Sequence, residues 1–278
     1  MTCTIDDADA HLFTKERQPD ANILVGLIIP DSEKQSIIKV IQAIKGKYNL
    51  KGRPIKYKNG DTVERFFLDN IKRPDLYENL KTNQYTIRKE IIKEISGFPF
   101  QVVISWDICS GETNFTNQRN RNLGSSFLDI LNTAAQCLPK HKNESFEIVL
   151  DRFPKGRGGL ESILESTFAT WKETELTRSL KETCTLFNYG VTLQNELLQL
   201  TDIIAGTFRD LIQDSIKNKS PRSSDHLHLL PKLVGYPNRI EDKGIFGPPQ
   251  FWHIINKAIT SELHRDLIQP QPLPPLFE

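Results

Sequence analysis

"ANILVGLIIPDSEKQSIIKVIQAIKGKY", residues 21–48, contains the change of rhythm that decides the fold. From Ala21 to Ile29 almost every side chain is apolar, as in a strand covered on both faces. Pro30 cannot donate to a ladder and closes the run. Beyond it, apolar residues recur at 37, 38, 40, 41 and 44, the spacing of an amphipathic helix. Asp31 or Ser32 is suited to cap that helix, and Gly46 to end it. A strand passing directly into a helix is the unit from which α/β domains are built.

Working outward, the same exchange recurs. "TCTID" at the start is short, β-prone and halted by two acids, Asp6 and Asp7. Residues 61–95 read as helix in two pieces broken near Pro74. "FQVVISWDI", 100–108, and "SFEIVLD", 145–151, are strands, and "LGSSFLDILNTAAQCL", 123–138, is a helix between them. "GGLESILESTFATWKE", 158–173, reads as a helix, "CTLFNYGV", 184–191, as a strand, and "NELLQLTDIIAGTFRDL", 195–211, as a further helix. The expectation is an α/β domain over residues 1–216, with one mixed sheet flanked by helices. A C-terminal extension, 217–278, then carries one helix over 251–268 and the Pro-rich end "QPQPLPPLFE".

Composition limits the partners. The chain has 278 residues, 38% apolar and 26% charged, which suits a soluble globular protein with a sizeable core. Its 36 basic and 35 acidic residues nearly cancel, so only local patches could attract nucleic acid. Cys3, Cys109, Cys137 and Cys184 form no CxxC pair, which argues against a zinc site. No uninterrupted apolar run reaches the roughly 18 residues of a membrane span, and no secretory leader is recognisable, so a cytoplasmic protein is expected.

The chemistry lies in acids that the fold could gather. Divalent metals such as Mg²⁺ take hard oxygen ligands, and phosphodiester hydrolysis uses several carboxylates close together. Asp6 and Asp7 should point to opposite faces of the first strand, so one is the better ligand. In "SFEIVLD", Phe146, Ile148 and Leu150 share one face, while Glu147, Val149 and Asp151 share the other. In "NELLQLTDIIAG", Leu197, Leu200, Ile204, Phe208 and Leu211 form one apolar face, with Asp202 roughly opposite. Ala205 and Gly206 beside Asp202 leave room for another segment or a ligand, although a surface acid reads equally well from the wheel alone. Asp107 and Glu112, after "FQVVISW", are minor candidates for the same cluster.

"TIDDADA", "IVLDRF" and "LLQLTDIIAG", in that order, resemble the pattern of the DUF3800 family over about residues 2–215. That family is similar in fold to RNase H-like enzymes and is regarded as metal-dependent nucleases, often bacterial and linked to defence or mobile elements. The resemblance implies that Asp6, Asp151 and Asp202 hold Mg²⁺ or Mn²⁺, that Asp7 assists, and that Gln199 is the helix glutamine, expected at the substrate. "IKYKN" makes Lys56 the matching base, expected to contact the scissile phosphate. Ala8 stands where the pattern has Ser, Asp7 where it has Glu, and Pro54 where an acid often precedes the lysine.

For substrate, the basic stretch Lys45, Lys47, Lys51, Arg53, Lys56 and Lys58 offers contacts to a phosphate backbone, with Tyr48 and Tyr57 able to stack on bases; a solvated loop is the other reading. "RFPKGRGGLES" adds Arg152, Lys155 and Arg157 at a helix start, an anion cradle without the Walker ending. His226 and His228 lack further ligands in register. Two functions follow: a Mg²⁺- or Mn²⁺-dependent nuclease, or a catalytically inactive RNase H-like module that binds nucleic acid or a protein partner.

Overall fold

The strands β1 (Thr2–Ala10), β2 (Ala21–Ile29), β3 (Gln101–Ile108), β4 (Phe146–Asp151), β5 (Cys184–Gly190) and β6 (Ile245–Phe246) form one sheet of order β5-β4-β1-β2-β3-β6. They are described here from a computed structural model, which covers residues 1–12, 20–109, 115–137, 146–151, 159–173, 184–217, 219, 224–236 and 239–251. β1–β2 and β2–β3 are antiparallel, while β1–β4, β4–β5 and β3–β6 are parallel, so the sheet is mixed as expected.

Helices cover both faces, which explains why β2 is apolar throughout. Ile23, Val25, Leu27 and Ile29 pack with α1 (Asp31–Lys47), α3 (Pro74–Ile95) and α6 (Glu196–Ile216). Leu24 and Ile28, one residue out of phase, join Cys3, Ile5, Ile148 and Leu150 under α4 (Phe115–Cys137) and α5 (Leu160–Glu173). Gly26 lets α4 approach, since a Cβ there would meet Ile130 Cγ2 at 2.6 Å. The short α2 (Asp61–Arg65) runs into a π-turn at Phe66–Asn70, and α3 starts afresh at Pro74.

Two expectations change. β1 does not stop at its acids; it runs on to Ala10 because β2 offers an antiparallel partner up to the pair Ala10↔Ala21. That continuous ladder outweighs the weak strand preference of Asp. The early part of the supposed extension is not appended either. Leu229 of α7 (Asp225–Leu229), Leu230, Leu233, Ile240 at the start of α8 (Ile240–Lys243) and Ile245 are buried in the same core as α3 and α6. β6 lengthens the sheet through Ile104↔Ile245. The helix expected over 251–268, after Phe251, and the Pro-rich end lie outside the described residues. Among the described residues no helix is long and apolar enough to cross a membrane.

Candidate functional site

The parallel pairing of β1 with β4 ends at Ile5↔Leu150. The next residue on each strand is an acid, Asp6 and Asp151, on neighbouring strands about 5 Å apart in the pairing direction. Alternation sets their face. Ile5 and Leu150 point towards α4 and α5, so Asp6 and Asp151 point towards α6. The register of α6 over this point is fixed by Thr4 of β1, whose hydroxyl lies 2.7 Å from that of Thr201. Asp202 follows Thr201 and so lies over the end of the β1–β4 seam. Asn195 starts the helix, its side chain accepting from Leu197 N at 2.9 Å and Leu198 N at 3.2 Å.

Lys56 comes from the segment between α1 and α2. Its Nζ lies 3.7 Å from Asp151 Oδ2 and 3.8 Å from Asp202 Oδ1. Three acids separated by up to 196 positions in sequence thus meet around one ammonium group. Asp6 is the deepest, 3% exposed. Its Oδ1 accepts from Asp7 N at 2.8 Å, whereas its Oδ2 is buried with no hydrogen-bond partner among the described residues. Burial raises Asp6 well above the ordinary carboxylate value, and the charges of Asp202 and Asp151 add to this. Asp202 is raised as well, chiefly by burial, against the opposing pull of Lys56 and the Tyr57 N–H. For Lys56, burial disfavours the charge, but Asp202, Asp6 and Asp151 outweigh it and the lysine is raised.

The donor set fits a hard divalent cation. It comprises three carboxylates, one with a buried oxygen that no group among the described residues satisfies. Among the described residues, however, no three His, Cys, Asp or Glu side chains already converge as a metal would require. Here Lys56 Nζ lies between Asp151 and Asp202 and spaces them.

Other expected residues fall in different places. Asp7 points to the opposite face, where Arg119 of α4 lies 3.8 Å away and also pairs with Asp9. Asp107 shares that face: Ser105, in phase with it on β3, donates to Asp129 of α4 at 2.8 Å. Gln199, expected at substrate, is 2% exposed, and its carbonyl oxygen accepts from Lys45 Nζ at 2.7 Å and Ile55 N at 3.1 Å. It therefore shapes the site from within. Tyr48 and Tyr57 are engaged rather than open to bases, donating to Glu90 and Asp210 at 2.7 and 2.6 Å. Lys51 and Lys58 are exposed and Arg53 is half-buried, on the loop that carries Lys56. His226 is buried in α7 and His228 exposed. Glu112, Arg152, Lys155 and Arg157 lie outside the described residues.

What sequence reasoning missed is the clamp on Lys56. Tyr57 sits on Gly206, where an added Cβ would fall 2.0 Å from the ring. Arg88 and Arg209 lie over that ring, 4.0 and 4.9 Å from its centroid. The small residue beside Asp202 was the readable signal; the aromatic ring that fills the space was not. No family model matches the chain, and neither a curated protein nor a solved structure matches it.

Proposed function

We propose that this chain is a divalent-metal-dependent nuclease with an RNase H-like sheet, hydrolysing phosphodiester bonds of nucleic acid. The observation that carries the reading is the meeting of Asp6, Asp151 and Asp202 under Lys56, with a buried Asp6 oxygen left without a partner. The strand order, with an antiparallel meander on one side of β1 and parallel strands on the other, supports the fold assignment. Asp6, Asp151 and Asp202 would hold Mg²⁺ or Mn²⁺, which supplies Lewis-acid stabilisation of charge on a phosphate. Lys56 adds a fixed positive charge for the phosphate oxygens. Lys51, Arg53 and Lys58, on the same loop and at least partly exposed, would follow a nucleic-acid backbone.

The test is cleavage of single- and double-stranded RNA and DNA with Mn²⁺. Wild type should cut at least one of them. Asp6→Asn and Asp202→Asn should cut at least about 10²-fold more slowly while still binding it. Binding without cleavage by the wild type, unaltered by either substitution, would replace this reading with the inactive binding module.

A further inference from the structure

Among the described residues, the acids of this site leave one oxygen each without a hydrogen bond. Asp6 Oδ1 takes the Asp7 N–H, Asp151 Oδ1 the Thr192 N–H at 3.0 Å, and Asp202 Oδ2 the Tyr57 N–H. Asp6 Oδ2, Asp151 Oδ2 and Asp202 Oδ1 remain, and the last two face Lys56 Nζ at 3.7 and 3.8 Å. Charge gives the same count. Three carboxylates against one ammonium leave two negative charges, which one divalent ion balances. With the ammonium in place, a second divalent ion would leave the half-enclosed site with two surplus positive charges. Asp7 does not alter this, because it lies on the other face with Arg119.

The main chain at Lys56 is held from several sides. Its N–H donates to Asn59 Oδ1 at 3.3 Å, and its carbonyl accepts from Gln84 at 3.2 Å. On one side Ile55 N is bound to Gln199; on the other the Tyr57 carbonyl accepts from Gln84 and Arg88, both at 2.6 Å. The Tyr57 ring, seated on Gly206 and covered by two guanidinium groups, closes the clamp. The side chain itself is only 25% exposed. The main chain that carries the ammonium is thus held in place, and Nζ faces Asp151 and Asp202 from it.

We infer that Lys56 is a built-in cation standing where a second metal would otherwise sit, so that Asp6, Asp151 and Asp202 make a one-ion site. This rests on the metal-site reading above and adds its stoichiometry. The experiment is a Mn²⁺ titration of the full chain, read by the electron paramagnetic resonance of free Mn²⁺ and by calorimetry. Variants are Lys56→Met, Lys56→Arg, and Lys56→Gln in case the methionine variant does not fold. Wild type and Lys56→Arg should each take one Mn²⁺ at the acids, and the neutral variant should take two. Two ions in the wild type, or a single ion in the folded neutral variant, would overturn the inference while leaving a metal site in place. No bound ion in any of the proteins would overturn the metal-site reading itself.

Discussion

Lys45 and Lys56 both come from the α1–α2 region and both meet α6, yet their surroundings differ. Lys45 is fully buried, with Nζ 2.7 Å from Glu196 Oε2 and 2.7 Å from Gln199 Oε1. One positive charge meets one negative, and a neutral carbonyl completes the set. Burial wins there and lowers Lys45 below its usual value, although Glu196 pulls the other way. Lys56 is more exposed and holds two carboxylates at longer range, with a third nearby. There the acids win, and the lysine is raised. The first arrangement is closed. The second carries surplus negative charge in a half-buried place, which costs stability unless something positive arrives. That surplus sets the Lys56 cluster apart from the Lys45 ion pair. Gln199 joins the two, taking Lys45 from one side and the Ile55 N–H of the Lys56 loop from the other.

The contrast can be broken from the Lys45 side first. Lys45→Met strands Glu196 and should destabilise the protein by about 3 kcal/mol, lowering Tm by about 6–12 °C. Mn²⁺ bound per folded molecule should not change; a loss of ion binding without a loss of stability would mean that Lys45 belongs to the site. Gly206→Ala comes next. Its Cβ collides with the Tyr57 ring, so about 1–3 kcal/mol should be lost. Cleavage should fall by about tenfold or more as Lys56 is displaced, whereas an unaltered rate per folded molecule would show the clamp to be dispensable.

A smaller effect separates the regions by pH. Asp6 and Asp202 are both held above the ordinary value of 3.8, so the folded, metal-free protein keeps their protons better than the unfolded chain. The resulting stability is complete below 3.8 and is lost as pH rises through the raised values. Asp6→Asn should therefore raise the Tm of the metal-free protein near neutral pH, and the gain should shrink towards about pH 4. A lower Tm at neutral pH would contradict this. The smallest change is expected for Asp7→Asn. It lies beside Arg119 on the far face, and should alter stability by about 1 kcal/mol and cleavage little. Loss of cleavage comparable to that of Asp6→Asn would place Asp7 in the machinery.

Much of this was legible because it is periodic. The all-apolar run 21–29 announced a strand covered on both faces, and alternation in 145–151 set Asp151 opposite Leu150. The two-residue period also separated Asp6 from Asp7 before any contact was known. Local pattern could not show that β1 continues past both acids, because the ladder with β2 depends on a strand that begins at Ala21. It could not show that Ile245 returns to β3, nor that Gln199 turns inward to Lys45 and Ile55. These contacts join residues distant in sequence, and a polar side chain reads the same whether its partner is substrate or backbone. Gly206 was readable as a space, but its occupant, Tyr57, lies 149 positions away.

The central claim is that surplus charge at Asp6, Asp151 and Asp202 exists to hold a cation beside Lys56. The most direct measurement is a crystal structure of the full chain soaked with Mn²⁺, with anomalous scattering used to locate the metal. The account predicts one Mn²⁺ bound by oxygens of Asp6, Asp151 and Asp202, with the Lys56 ammonium still in place beside it. Mn²⁺ found only elsewhere, with Lys56 and the three acids unchanged, would contradict it.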